Sequence, residues 1–220
     1  MKVLITGGFS TLGRAIAKEF YSKGWDVYIT AREYKPSDCF KVIEMDVTDG
    51  ESIEKALSSL DSLDVLVNNA GIFTEGYQDE LSDELFDKVF DVNVKGLFRV
   101  TKKILPLLKA SNGSIVNIAS INALHPGFGK TAHYDASKGA VKSYTASLAA
   151  ETGLRVNAVA PGLIMADRLK GSELESFYSS HSVERSMVRS EDIASAVYFL
   201  ATAKGIYGQT LTVDNGYLLF

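Results

Sequence analysis

Short runs rich in β-branched residues alternate along the chain with longer amphipathic runs, and this alternation limits the fold more than any other feature. The strand candidates are Val3–Thr6, Asp26–Thr30, Lys41–Met45, Val65–Asn68, Ser114–Ile118, Arg155–Val159 and Thr210–Val213. The helix candidates are Leu12–Lys23, Gly50–Leu60, Asp83–Lys109, Tyr134–Glu151 and Glu191–Ala203. Strands that alternate with helices predict an α/β chain whose parallel sheet is covered on both faces. The runs VLIT, DVLVNN and SIVNI do not switch strictly between apolar and polar, as expected of strands buried on both sides. A length of 220 residues with 46% hydrophobic content predicts a single domain, 1–220, with its own core.

Local signals refine the elements. Thr48 and Glu51 have capping-box spacing before SIEKAL, and Ser82 is placed to cap the next helix. Pro106 falls inside the long helix and is expected to end or kink it. Between Thr30 and Lys41 the chain offers only AREYKPSDCF, with Pro36 in the middle. That is too little for the usual crossover helix, so a short loop is expected there.

Composition excludes several classes. The net charge is −4, without extended Lys/Arg clusters, which argues against a nucleic-acid surface. MKVLITGG runs directly into glycines and reads as a first strand rather than a signal segment. No apolar stretch approaches a membrane span. Cys39 stands alone, which rules out an intrachain disulfide and suits a reducing, cytoplasmic setting. His125, His133 and His181 lack metal-ligand spacing, so no metal is expected.

VLITGGFSTLGRAIA reads as a strand, a glycine-rich turn and a helix. The unpaired N–H groups and positive dipole end of a helix N-terminus suit a diphosphate, and glycines let the backbone approach it. The expected cradle is Gly7, Phe9, Ser10, Thr11, Leu12 and Gly13. In a Rossmann-type doubly wound sheet of about seven strands, the end of the second strand reads the ribose. Here that position carries Arg32, with Glu33 beside it. A guanidinium there suits a 2′-phosphate, so NADP(H) is expected ahead of NAD(H).

Together these pieces resemble the short-chain dehydrogenase/reductase family over nearly the whole chain. Thr6-Gly7 through Gly13 is similar to its cofactor loop, and Asn68-Asn69-Ala70-Gly71 matches its NNAG signature. Asn93 matches the family's helix asparagine, Ser120 its serine, and Tyr134 with Lys138 its YxxxK pair. The resemblance implies cofactor contacts from Asp46, Val47, Asn69, Ala70 and Gly71, and from Pro161, Gly162 and Ile164 after VNAVAPG. It implies catalysis by Ser120, Tyr134, Lys138 and Asn93, with Lys138 also on the nicotinamide ribose and Asn93 anchoring a water. The chain resembles a compact member, akin to 3-oxoacyl-ACP reductase-like enzymes. Thr11 departs from the pattern by replacing the middle glycine of the loop, where its β-carbon is expected to crowd the diphosphate.

Taken singly, Tyr134 reads as a core aromatic, Lys138 as a solvated charge and Ser120 as a strand-end turn residue. Only their joint occurrence points to chemistry. Residues four apart share a helix face. A unit charge about 4 Å away at an effective dielectric of ~20 is worth roughly 4 kcal/mol, so Lys138 is expected to lower the Tyr134 pKa by up to about 3 units. The implied reaction is hydride transfer between nicotinamide and a carbonyl or secondary-alcohol substrate. The alternative is a nucleotide-sensing protein without turnover. Residues 163–188 are expected to form a mobile lid, with Phe177, Tyr178 and Met187 either closing over an apolar substrate or equally packing as a small helix, and Ile121–Ala132 the opposite wall. A homodimer or homotetramer is implied, through the Tyr134 helix and through the apolar terminus YLLF.

Overall fold

A computed structural model describes residues 1–219. One parallel sheet runs through it, built from β1 (Lys2–Ile5), β2 (Asp26–Ala31), β3 (Lys41–Glu44), β4 (Val65–Asn68), β5 (Ser114–Ile118), β6 (Arg155–Pro161) and β7 (Thr210–Val213). The spatial order is β3-β2-β1-β4-β5-β6-β7, so the direction of winding reverses between β1 and β4. Every pairing is parallel. In register, Leu4 lies beside Leu66, Leu66 beside Ile115, and Ile115 beside Val156. The central strands β4 and β5 are buried along their whole length, whereas the edge strand β3 is not.

The helices are α1 (Thr11–Ser22), α2 (Gly50–Leu57), α3 (Asp83–Phe90), α4 (Leu97–Ser111), α5 (Ala132–Thr152), α6 (Glu173–His181) and α7 (Ser190–Thr202). Side chains of successive strand residues point to opposite faces. Val3 and Ile5 therefore pack with Ile16, Phe20 and Val197 beneath α1 and α7. Leu4 and Leu66 pack with Leu57, Ile104 and Leu148 beneath α2, α4 and α5. Phe20 is fully buried and makes edge contacts with the rings of Trp25, at 5.1 Å, and Tyr198, at 5.2 Å.

Several local expectations change. The cap of α2 is Asp49, whose side chain accepts from the N–H groups of Glu51 and Ser52. Thr48 instead donates its hydroxyl to Asp46 at 2.7 Å. Both are good capping types, and the one nearer the first helical turn takes the role. Ser82 caps α3 as expected. Pro106 does not end α4, which runs on to Ser111 and stops at Asn112, in the left-handed region at φ 52°. The irregularity falls earlier, where Asp91–Gly96 forms a wider π-type turn between α3 and α4. Residues 32–40 cross between β2 and β3 without a helix. The segment expected to be a lid contains α6, capped by Ser172.

Phe20→Ala removes a fully enclosed aromatic from the α1–α7 face and is expected to cost about 3–5 kcal/mol of unfolding free energy, read from the midpoint shift at unchanged m-value in urea.

Candidate active site

The reversal of winding leaves a crevice beyond the C-terminal ends of β1 and β4, the usual ligand position in such sheets. Thr6 and Asn69 hold its floor. The Thr6 hydroxyl accepts from the N–H groups of Asn69 at 3.0 Å and Ala70 at 2.9 Å. Asn69 Nδ2 donates back to the carbonyls of Thr6 at 2.8 Å and Gly7 at 3.0 Å. Gly7 turns the chain out of β1 with φ 64°. A Cβ on Gly13 would lie 2.4 Å from the Gly7 carbonyl oxygen, so only glycine lets α1 start this close to the turn. Ser10 caps α1 by accepting from Gly13 N–H at 3.0 Å. The N–H groups of Thr11 and Leu12 have no hydrogen-bond acceptor among the described residues. They form the free donor end of the helix.

A groove of about 770 Å³ opens along this seam. Gly7, Phe9 and Ser10 line it on the α1 side, and Asn69, Ala70 and Gly71 line its floor. Arg32, Asp46 and Val47 line its far end. Leu12 and Gly13 are buried behind that lining. Thr11 is exposed and lines the flank between α1 and α7 rather than the groove. Pro161 closes β6, Gly162 donates its N–H to the Val213 carbonyl at 2.9 Å, and Ile164 bridges to Val188. These three lie outside the groove lining.

The lining also holds residues not expected from the sequence, among them Lys35 and Ile72. Lys35 joins Arg32 at the far end because the short crossover folds back over the strand ends. Both are exposed, and among the described residues neither forms an ion pair. Spacing three residues from Arg32, just before Pro36, was the available signal. Ile72 lies beside Gly71. Donors at a helix start and glycines where a β-carbon would collide fit a diphosphate, and the two unpaired cations fit a further phosphate.

The crevice continues toward β5 and α5. Ser120 follows β5, and Tyr134 and Lys138 lie on one face of α5. Lys138 Nζ stands 5.8 Å from the centre of the Tyr134 ring and donates to the Ile118 carbonyl at 2.8 Å. An ammonium has three donors. Among the described residues the other two have no acceptor. A Cβ on Gly71 would lie 3.2 Å from Asn93 Oδ1 and 3.5 Å from Lys138 Nζ, so Asn93 and Lys138 converge on the groove floor. Asn93 sits in the π-type turn, with Oδ1 accepting from Ile72 N–H and Nδ2 donating to the Ile72 carbonyl and to Ser137. Both of its side-chain N–H bonds are thus committed. Any water it anchors must use an oxygen.

Burial opposes the electrostatic expectation in the free chain. Burial dominates, and it pushes Tyr134 up to about 12, with Ser120 pulling the other way and Asp135 adding to the rise. Burial likewise brings Lys138 down to about 8. Each group resists its charged form because neither is solvated. His133 bonds Thr74 through Nε2 at 2.8 Å and has no place in this cluster.

The expected lid is also corrected. Tyr178 is fully buried, with its hydroxyl on the Asp214 carbonyl, and Met187 is buried too, so neither is free to swing. Phe177 remains exposed and meets Phe128 of the opposite wall edge-on at 5.6 Å. Among the described residues no helix is long and apolar enough to cross a membrane, and no three His, Cys, Asp or Glu residues cluster as metal ligands. Tyr217, Leu218 and Leu219 form a short turn, and Phe220 lies outside the described residues.

A family profile described as Enoyl-(Acyl carrier protein) reductase matches residues 7–218. The chain belongs to the short-chain dehydrogenase/reductase family. It is an NAD(P)-dependent oxidoreductase of the CH–OH/C=O class. Nodulation protein G of Rhizobium sp. (strain N33) is 32% identical over 98% of this chain and 96% of its own. The 3-oxoacyl-[acyl-carrier-protein] reductase FabG of Thermotoga maritima is 33% identical over 98% and 97%. Among solved structures, ElxO with NADP bound superposes with a TM-score of 0.89 at 33% identity, covering 100% of this chain and 99% of that one.

The buried Lys138 makes a prediction. The unfolded chain keeps this proton up to about 10.5 and the folded chain only to about 8, so the folded state binds fewer protons between those values. The cost of burying the charge is therefore fully present below about pH 8 and is relieved as pH rises toward 10.5. Tyr134 does not oppose this below about pH 10, where it is protonated in both states. In denaturant unfolding of the cofactor-free protein, wild-type stability relative to Lys138→Met should rise by about 2–3 kcal/mol between pH 7.5 and 10.

Proposed function

We propose that the protein reduces a carbonyl, or oxidises the matching secondary alcohol, with NADP(H), and that Tyr134 is its proton donor and acceptor. The observation that carries this reading is the meeting of Ser120 and Lys138 at Tyr134, with Lys138 reaching Gly71 on the floor of a groove that starts at the free donor end of α1.

A reduced nicotinamide, when bound, supplies the hydride. The raised Tyr134 pKa keeps the phenol protonated at neutral pH, which suits delivery of a proton to a carbonyl oxygen. Lys138, at about 8, is largely charged at neutral pH. As the phenol gives up its proton, the nearby ammonium offsets the developing phenolate in a site where water does not screen it. The two unused Lys138 donors are available to ribose hydroxyls. The Ser120 hydroxyl would hold the substrate oxygen. Phe128 and Phe177, from opposite walls, would cover an apolar part of the substrate.

Arg32 and Lys35 favour NADP(H) over NAD(H), and the NADP-bound relative agrees with that choice. The exposed Phe98 ring on α4, in edge contact at 6.4 Å with the partly buried Tyr144 on α5, supports a homodimer or homotetramer through this face.

Arg32→Ala should weaken NADPH binding by about 10- to 100-fold in fluorescence titration while leaving NADH nearly unchanged, since one charge-assisted hydrogen bond is lost. Tighter binding of NADH than NADPH by the wild type would overturn the cofactor assignment. Tyr134→Phe should lower NADPH-dependent turnover of a carbonyl panel by at least about 100-fold with NADPH affinity retained. Normal turnover by that variant would remove Tyr134 from the chemistry.

A further inference from the structure

Asp135 follows Tyr134 in the first turn of α5, and its carboxylate serves the loop rather than the helix. Oδ1 accepts from Asn122 Nδ2 at 2.6 Å. Oδ2 accepts from Gly127 N–H at 2.9 Å and from the Thr131 hydroxyl at 3.1 Å. These donors come from the start, middle and end of the wall formed by residues 121–131. The wall closes tightly over the carboxylate. A Cβ on Gly127 would lie 2.3 Å from Asn122 Nδ2 and 2.4 Å from Thr131 Oγ1. Thr131 precedes α5 without capping it, because its hydroxyl is turned to Asp135.

The chain of contacts continues to Ser120. Asn122 donates its backbone N–H to Ser120 Oγ at 3.2 Å, and Asn122 Oδ1 lies 3.4 Å from the same oxygen. A carboxylate only accepts hydrogen bonds, so the NH₂ side of the Asn122 amide must face Asp135. The oxygen side must then face Ser120. We propose that Asp135 is a positioning residue for the reduction, acting through Asn122 to fix where the Ser120 hydroxyl stands and which way it donates. One Ser120 lone pair is held by the Asn122 N–H. Its proton has a long contact to Asn122 Oδ1 and stands within reach of the Tyr134 hydroxyl, and a substrate oxygen at normal hydrogen-bonding distance displaces the long contact. The inference rests on the function proposed above.

Asp135→Asn is the discriminating change. An amide offers one accepting oxygen, whereas the loop presents donors to both oxygens of Asp135, so either one side meets an NH₂ group donor to donor or the Asn122 amide turns over and presents its NH₂ rather than its oxygen to Ser120. The expected result is a fall in kcat of about tenfold or more, with KM for the carbonyl and Kd for NADPH within about threefold of wild type, as for loss of a contact that matters mainly in the transition state. Asn122→Ala should give a similar loss, and the double variant should be no worse than the poorer single variant, because the two residues act in series. Hydrogen exchange provides a readout independent of turnover, in which Asp135→Asn should lose protection at the amides of Asn122 and Gly127. An unchanged kcat with raised KM would make Asp135 a wall residue only and overturn the proposal. Multiplying losses in the double variant, or unchanged exchange, would overturn it as well. Equal turnover by wild type and Tyr134→Phe would sink the proposed function itself, a result distinct from any of these.

Discussion

Where β1 and β4 part, a parallel sheet loses the neighbour that would complete its hydrogen bonding, and the site depends on how that loss is made good. Thr6 and Asn69 lace the strand ends across the gap, with the threonine hydroxyl accepting from two backbone N–H groups and the asparagine amide donating to two carbonyls. Buried backbone groups without partners are costly, so this lacing stabilises the crevice in an open form. It also fixes the separation between the start of α1 and Gly71. The groove floor and the free helix donors both follow from that spacing.

The chemistry further in is governed by burial more than by pairing. Lys138 and Tyr134 share a helix face, yet each is pushed toward neutrality because protein has replaced its water. A lysine brought down to about 8 beside a phenol kept protonated is the balance on which the proposed proton transfer rests. Asn93 contributes through geometry. Its turn widens the helix between α3 and α4, and its amide clamps Ile72, setting the segment that lies beneath the ammonium. Gly96 lets the same region press against Val47, where a β-carbon would come within 2.9 Å of the valine side chain. The packing that places Asn93 thereby closes the groove wall.

Much of this was legible in the chain. The buried runs of β4 and β5 and the strand–glycine–helix segment around Gly7 are local patterns, as is the four-residue spacing of Tyr134 and Lys138. Other features were not. Pro106 was expected to end or kink the helix, and packing of Ile104 and Leu108 carries α4 past it. Tyr178 and Met187 looked like mobile apolar residues but fill the core. Lys35 was not singled out, and it lines the groove with Arg32 only once the short crossover is folded. Asp135 was not singled out, because its hydrogen-bond donors lie 13, 8 and 4 positions earlier in the chain and only the folded wall gathers them.

The sequence by itself determined the parallel sheet, the glycine turn and the set of residue types available for hydride chemistry. Those depend on periodicity, backbone freedom and spacing within one turn of chain. Only the tertiary structure decided the protonation balance of Tyr134 and Lys138 and the orientation of the Asn122 amide, together with which aromatics line the cleft and which support it. Desolvation and hydrogen-bond sense depend on every group packed around an atom, and those groups come from strands and loops far apart in the chain.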